Sequence, residues 1–268
     1  MNKDTNLCIS IAISPGNFGT NFHNSSYKAL GLNWLYLPRK ISSLSELREA
    51  IAAVRTLKIK GCSVSMPFKE AVIDLVDELD DSAKQTRAVN TILNTDGILK
   101  GFNTDLYGAK EALSKLNLLN QDVFIIGSGG VAKAVAQAVK ELGGNITIIN
   151  RTEKTAIELA KKIDGKHRPW KKLEHSSGFL LINATSVGMN NKEEVIVSDK
   201  TIEKFESIMD VVIYPSLTRL IKNSAIKQKK IITGIEMCVH QASKQFQIYT
   251  GIEAPKEIIN EILKQELS

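Results

Sequence analysis

Residues 122–152 read DVFIIGSGGVAKAVAQAVKELGGNITIINRT, and few folds accept such a segment. A β-branched and aromatic run ends on Gly127-Ser128-Gly129-Gly130-Val131-Ala132. An Ala-rich helical pattern follows, and a second β-branched run closes at Asn150. Strand, glycine turn, helix and strand in that order predict an α/β layer built on a parallel sheet. The turn has the form G-x-G-x-x-A. Its first glycine permits a tight bend, its second lets the backbone approach a pyrophosphate, and the small third residue lets helix and strand pack closely. The N–H groups at the helix start then face the phosphates. A glycine pattern alone is a weak signal, since structural turns contain glycines too, but here both flanks fit dinucleotide binding.

The end of the second strand refines the expectation. A carboxylate there accepts from the ribose 2′-OH of NAD. This chain has Asn150-Arg151-Thr152-Glu153-Lys154 instead. Arg151 and Lys154 suit a 2′-phosphate through charge-assisted bonds, so NADP is expected over NAD. The plainer reading has Thr152 capping the next helix and Arg151 in solvent, and the two are compatible.

The rest of the 268-residue chain alternates strand-like and helix-like runs with no repeat and no Pro/Gly/Ser-rich linker. Strands are expected at LCISIAI, WLYLP, CSVSM, FLLINA, IMDVVI and KIIT, and a hairpin across Thr95-Asp96-Gly97. A helix is expected near His23–Leu30, and Ser43 and Glu46 have capping-box spacing ahead of another. One helix should run from Asn103 or Thr104 to about Leu116, and the last two near Met237–Tyr249 and Pro255–Gln265. In VSMPFKE (64–70), Pro67 suits a first helical position. The following AVIDLVDELD has apolar residues at helical intervals, which puts Lys69 in the first turn, where the helix dipole disfavours a cation.

The net charge of +6 and pI of about 9.1 fit nucleic acid or an anionic small molecule. The densest basic run, Lys227 to Lys230, reads as the end of a helix, and no nucleic-acid motif accompanies it. No apolar stretch is long enough to span a bilayer, and the polar N-terminus does not read as a signal peptide. Cys8, Cys62 and Cys238 are scattered, and the four histidines lack ligand spacing. Neither disulfides nor a metal is expected, and the compartment is expected to be reducing and cytoplasmic.

Nine pieces occur in one order: HN (23–24), SVSMPFK (63–69), AVNT (88–91), NTD (103–105), GSGGVA (127–132), NRT (150–152), NATSVGM (183–189), DVV..P..T (210–218) and TGIEMCVHQ (233–241). Over nearly its whole length the chain resembles the shikimate/quinate dehydrogenase superfamily. The resemblance implies an α/β fold of two domains over a cleft. Residues 1–103 and 237–268 would form a substrate-binding and catalytic domain, and residues 104–236 a Rossmann-type NADP domain. It implies Lys69 and Asp105 flanking the substrate hydroxyl that loses hydride, with Lys69 as base. A lysine whose charged form is disfavoured by a helix dipole suits that work, and Asp105 would orient it. Alternatively, Lys69 snorkels to solvent and Asp105 helps cap its helix. Asn90 and Gln241 resemble substrate hydrogen-bonding residues; their bland alternatives are a backbone-satisfied amide and an exposed helix face. Thr185, Ser186, Val187 and Gly234 would lie along the nicotinamide side.

The chain also departs from that pattern. The family's Ser-x-Ser-Pro before the HN pair is Asn17-Phe18-Gly19-Thr20 here, its N-x-T is Ser63-Val64-Ser65, and a tyrosine before Pro215 is Ile213. This combination is similar to the shikimate dehydrogenase-like branch. The two serines that would hold the substrate carboxylate are thus lost at Asn17 and Gly19, at about 1.5–3 kcal/mol for each bond to a charged group, while Ser63 and Ser65 keep hydroxyls but not the amide; together they mark an altered pocket. Gly19 is also a position where a positive φ would strain serine. The expected substrate is a small hydroxylated ring acid, with shikimate as reference. Alternatives are a quinate-type dehydrogenase, in which Asn17 meets the added hydroxyl, and a non-catalytic NADP-binding sensor. Retention of both Lys69 and Asp105 argues against the sensor. A homodimer is left open.

Overall fold

The structure is a computed structural model that describes residues 1–189 and 194–267. The chain forms two compact units. One comprises Met1–Thr104 and Gln241–Ile262; the other comprises Asp105–His240 and the chain from Leu263.

The first unit begins with β1 (Asn6–Ala12), α1 (Phe18–Ala29), β2 (Trp34–Lys40), α2 (Leu44–Thr56) and β3 (Gly61–Val64). A 3-10 turn at Ala71–Leu75 precedes β4 (Glu78–Leu79), α3 (Asp81–Thr86), β5 (Thr91–Thr95) and β6 (Ile98–Phe102). Its sheet runs β2-β1-β3-β5-β6-β4. β1 is parallel to β2 and β3, while β5 is antiparallel to β3 and β6. At the β5–β6 hairpin Asp96 and Gly97 both take positive φ (53° and 95°), the backbone that a tight two-residue turn requires.

The second unit contains α4 (Thr104–Leu113, entered one residue earlier), β7 (Asp122–Ile126), α5 (Gly130–Glu141), β8 (Asn145–Ile149), α6 (Glu153–Lys162) and β9 (Lys166–His167). A 3-10 turn at Trp170–His175 leads to β10 (Gly178–Asn183), α7 (Asp199–Ile202), β11 (Phe205–Asp210), α8 (Arg219–Ile226) and β12 (Lys230–Ile232). The chain ends with α9 (Gly234–Thr250), whose residues from Gln241 onward belong to the first unit, and α10 (Lys256–Leu267). The sheet order is β12-β11-β10-β7-β8-β9, every pair parallel. Strand order reverses between β7 and β10, the switch point at which open α/β sheets bind ligands. The expected two-domain α/β architecture is therefore present, with β4, α3, β9, α7 and the 3-10 turn at Trp170–His175 added.

Strand register gives the first sheet two chemically different faces. Side chains alternate along a strand, and Ile9 pairs with Cys62 while Cys8 pairs with Gly61 and Tyr36. Ile9, Ile11, Cys62 and Val64 share an aliphatic cluster with Leu47, Ile51 and Val54 of α2. The Cys8–Tyr36–Gly61 face is aromatic. His23 of α1 stacks on Tyr36 with centroids 4.4 Å apart, and Tyr27 lies 5.3 Å from Phe246 of α9. A Cβ on Gly61 would fall 2.4 Å from the Tyr249 ring, so only glycine admits that tyrosine. Asn24 serves the sheet edge: its amide donates to the Tyr36 carbonyl at 3.0 Å and accepts the Tyr36 N–H at 2.8 Å.

The capping box at α2 is present with an offset. Ser43 Oγ accepts the Glu46 N–H, and Glu46 reaches back to the N–H of Ser42. At the basic run, α8 stops at Ile226, and Lys227 pairs with Glu203 at 2.6 Å while Lys229 donates to the Glu203 carbonyl.

Three expectations need correction. The α-helix expected after Pro67 is only the five-residue 3-10 turn, and it begins two residues past Lys69. Tertiary bonds override the local pattern: Asp77 N–H donates to the Leu99 carbonyl, and the Asp77 carboxylate takes the Leu99 N–H and the Arg55 guanidinium. Those bonds draw residues 77–79 into the sheet beside β6. The dipole argument for Lys69 therefore has no helix behind it. Next, α1 starts at Phe18 rather than near His23, which places Gly19 within the helix; it is absent from the positive-φ glycines. The constraint at Gly19 is Tyr36, whose hydroxyl would lie 3.2 Å from a Cβ there. Finally, α4 ends at Leu113, three residues short of Leu116. No helix among the described residues is long and apolar enough to cross a membrane.

Candidate active site

In the second unit, β7 delivers the glycine turn to the switch point. Gly127 has φ +122°, and a Cβ there would lie 2.6 Å from the Ala184 carbonyl oxygen at the end of β10. Both facts demand glycine. Gly129, the N-cap of α5, has nothing within 4 Å of its would-be Cβ, so its backbone faces open space. Ala132 is fully buried, and Gly130 and Val131 open a helix with no acidic residue in its first turn. Ser128 is held from the neighbouring strand end: its hydroxyl accepts from Asn150 Nδ2 at 2.8 Å and meets Thr155 Oγ1 at 2.8 Å.

Arg151, Thr152 and Lys154 are all exposed beyond β8. Thr152 is the N-cap of α6, but its side chain makes no capping bond, so the plainer reading holds only for the backbone. No ion pair holds Arg151 or Lys154 among the described residues. This half fits a dinucleotide with a 2′-phosphate: a cradle closed to any side chain at Gly127, a helix start without a carboxylate, and two exposed cations past β8.

A buried network missing from the sequence reading shapes the loop of Thr185, Ser186 and Val187. Asn183 and Asp210 are paired in register at the ends of β10 and β11. Asp210 accepts from Asn183 Nδ2 (3.0 Å), Val212 N–H (3.1 Å) and Thr218 Oγ1 (2.7 Å). Asn183 Oδ1 accepts the N–H and hydroxyl of Thr185, and its Nδ2 also reaches the Val187 carbonyl. Burial pushes the Asp210 carboxyl up to about 6, against the opposing bonds from Thr218, Val212 and Asn183. Polar residues ending two adjacent apolar strands were the available signal. Gly234 has a packing reason of its own, since a Cβ would lie 2.2 Å from the Val212 carbonyl oxygen.

In the first unit, Asn90, Thr104 and Gln241 meet. Asn90 Oδ1 accepts Thr104 N–H (2.8 Å), Thr104 Oγ1 (3.1 Å) and Thr91 Oγ1 (2.7 Å). Gln241 Nε2 donates to Thr104 Oγ1 at 3.0 Å. Asn90 is thus fixed by threonines rather than satisfied by backbone alone, and Gln241 is half-buried rather than on an exposed face. Lys69 is 9% exposed, which removes the solvent-snorkelling alternative, and its carbonyl accepts the Val89 N–H at 2.7 Å. Asp105, which follows Thr104 in the first turn of α4, is buried in the second unit. Asn17 and Ser65 are exposed, and the Asn17 side chain does not cap α1. The described residues contain no group of three or more His, Cys, Asp or Glu able to hold a metal.

Family models for the shikimate dehydrogenase substrate binding domain and for shikimate / quinate 5-dehydrogenase match residues 10–92 and 109–213. A shikimate dehydrogenase-like protein of Haemophilus influenzae is 39% identical over 266 residues, covering 97% of this chain and 96% of that protein. This chain belongs to the shikimate/quinate dehydrogenase family. A shikimate dehydrogenase (NADP(+)) of Pyrococcus abyssi is 34% identical over 248 residues, 91% of this chain and 92% of that one. Among solved structures, a shikimate 5-dehydrogenase-like protein superposes with a TM-score of 0.89 at 37% identity over the full length of both chains. The Thermus thermophilus shikimate 5-dehydrogenase in complex with NADP(H) and shikimate gives 0.87 at 28% identity, over 97% of this chain and 99% of that one. Membership accounts for the dehydrogenase fold.

Proposed function

We propose that this chain is an NADP-dependent oxidoreductase that oxidises a secondary hydroxyl of a small hydroxylated ring acid, shikimate or a close analogue, through an altered carboxylate pocket. Residues 1–103 and 237–268 act as the substrate-binding and catalytic domain, and residues 104–236 as the NADP domain. The observation that carries this reading is the convergence of three separate motifs on one hydroxyl. Asn90 of AVNT and Gln241 of the α9 segment both bond to Thr104, and the next residue is Asp105. Asn90 Oδ1 is occupied by internal donors, so a bond from this amide to a substrate oxygen would come from Nδ2.

NADP supplies the hydride acceptor when bound. Gly127, Gly129 and the N–H groups opening α5 hold the pyrophosphate, and Arg151 with Lys154 hold the 2′-phosphate. Thr185, Ser186, Val187 and Gly234 border the nicotinamide. As the substrate carbon gives up hydride, Lys69 Nζ takes the hydroxyl proton, so the alcohol becomes a ketone with charge and atoms balanced. Asp105 orients that amine. Asn90, Gln241 and Ser65 position the ring hydroxyls, and Asn17 faces the carboxylate end.

Two outcomes test the two halves. Arg151→Ala should weaken NADP by about 10–100-fold, the worth of a charge-assisted bond, and leave NAD nearly unchanged. An equal loss of both cofactors in binding titrations contradicts the phosphate role. In the pocket, the double variant Asn17→Ser with Gly19→Ser should lower KM for shikimate with little change in kcat. Tyr36 must shift by a few tenths of an ångström to admit the new Cβ, and circular dichroism checks that the fold survives. A folded double variant with wild-type KM would mean that the missing hydroxyls do not limit binding.

A further inference from the structure

Gln241 and Gln245 lie one helical turn apart on α9, so their side chains share a face. Each ends on a threonine. Gln241 Nε2 donates to Thr104 Oγ1 at 3.0 Å, and Gln245 Nε2 donates to Thr91 Oγ1 at 2.8 Å. Each threonine in turn donates to the same atom, Asn90 Oδ1, at 3.1 Å and 2.7 Å. The result is two arms, Gln241–Thr104 and Gln245–Thr91, closing on Asn90 from two directions. Gln245 Nε2 also lies 3.2 Å from the Asn90 carbonyl and 3.1 Å from Ser63 Oγ. Its side chain is 3% exposed, which keeps it off the surface that any substrate can touch.

We propose that Gln245 is a positioning residue for the substrate pocket: by donating into Thr91 it commits the Thr91 hydroxyl proton to Asn90 Oδ1, and so fixes the Asn90 amide with its nitrogen turned to the substrate. This rests on the reading of Asn90 as a substrate-binding residue. A hydroxyl is a single donor whose rotor turns to suit its neighbours. An amide N–H aimed at Thr91 Oγ1 fills its acceptor side and leaves the proton for Asn90 Oδ1 at 2.7 Å, a shorter contact than the 3.2 Å to Thr104 Oγ1. A carboxylate in the same place has no N–H to give. It would itself accept the Thr91 proton, and Asn90 Oδ1 would lose one of its three donors. Chains of this kind polarise one another, so the orientation of a buried amide depends on the last donor in each arm.

The substitution that separates this from a packing role is Gln245→Glu, which keeps shape and reverses polarity. With NADP saturating and shikimate as the varied substrate, KM should rise about tenfold, the worth of roughly 1.4 kcal/mol, while kcat falls less and NADP affinity stays at the wild-type value. Thr91→Val, which deletes the relay hydroxyl, should give the same KM shift and carries the test if Gln245→Glu does not fold. On an Asn90→Ala background, Gln245→Leu should cause no further rise in KM. Wild-type KM in a folded Gln245→Glu and in Thr91→Val, with KM raised by Asn90→Ala, overturns the positioning role and leaves the proposed function standing. Wild-type KM in Asn90→Ala removes Asn90 from substrate binding and overturns the positioning role with it, whereas a wild-type protein that reduces NADP with no ring acid overturns the proposed function itself. A KM rise in Gln245→Leu that adds in full to that of Asn90→Ala also overturns the positioning role, because the two would then act separately.

Discussion

Lys69→Met should turn over the best substrate about 10²–10⁴-fold more slowly than wild type, the usual contribution of a positioned base, with NADP affinity unchanged. Methionine keeps the length and apolar stem of the lysine, and the residue is buried. The backbone around it is fixed independently by the Val89 N–H bond to the Lys69 carbonyl and by the Phe68 N–H bond to the Ser65 carbonyl. Loss of the amine should therefore appear in kcat rather than in folding. Asp105→Asn should also lower kcat, and the double variant should lose less than the product of the two, because residues that act as a unit are not additive. Steady-state kinetics of the three variants decide it. Near wild-type kcat in Lys69→Met would show that its amine takes no proton in the reaction.

His23→Phe should be markedly more resistant to acid than wild type. His23 is fully buried against Tyr36, Tyr27, Phe22, Phe246 and Tyr249. That burial pushes its imidazole down to about 3 from an ordinary 6.5, opposed by the nearby Gln245 amide. Between those values the unfolded chain binds a proton that the folded chain refuses. The stability tied to neutral His23 is thus whole above about pH 6.5 and drains as pH falls toward 3. Over the full window the loss is on the order of 5 kcal/mol, comparable to the whole stability of many domains. Phenylalanine keeps an aromatic ring in the stack and does not titrate. Urea melts of both proteins at pH 7, 5 and 4 should diverge as pH falls; parallel curves would assign the acid limb elsewhere.

The second unit was the more legible half. Its strands are buried on both faces and read as continuous apolar runs, and a turn that needs Gly127 for both φ and clearance leaves a mark that no other residue can leave. The hairpin at Asp96-Gly97 was legible for the same reason. The segment after Pro67 was not. Its apolar spacing is helical, and Val72, Ile73 and Leu75 do pack on the aliphatic cluster, but the bonds that pull Asp77 to β6 and Arg55 come from residues 22 positions away on either side. The lysine anomaly that pointed to a catalytic role disappears with the helix, so the case for Lys69 now stands on its burial and its family motif. Among the polar site residues, those on named motifs could be read. Gln245 lies outside those motifs, and Asp210 opens DVV..P..T without a role to be read there, because their importance lies in what they hold: Asn183 and the Thr185–Val187 loop in one case, Thr91 and Asn90 in the other. A chain of hydrogen bonds between distant segments leaves no local periodicity.

If the proposed function holds, this chain moves hydride between a ring alcohol and NADP. The most direct measurement is absorbance at the reduced-nicotinamide band while wild-type protein is mixed with NADP and a panel of hydroxylated ring acids, shikimate and quinate included, and in parallel with NAD. Steady formation of NADPH is expected with at least one ring acid, faster with NADP than with NAD, and slowed about 10²–10⁴-fold by Lys69→Met. Tight NADP binding with no reduction by any member of the panel would contradict it and identify the chain as a binding protein that has kept the fold of its family.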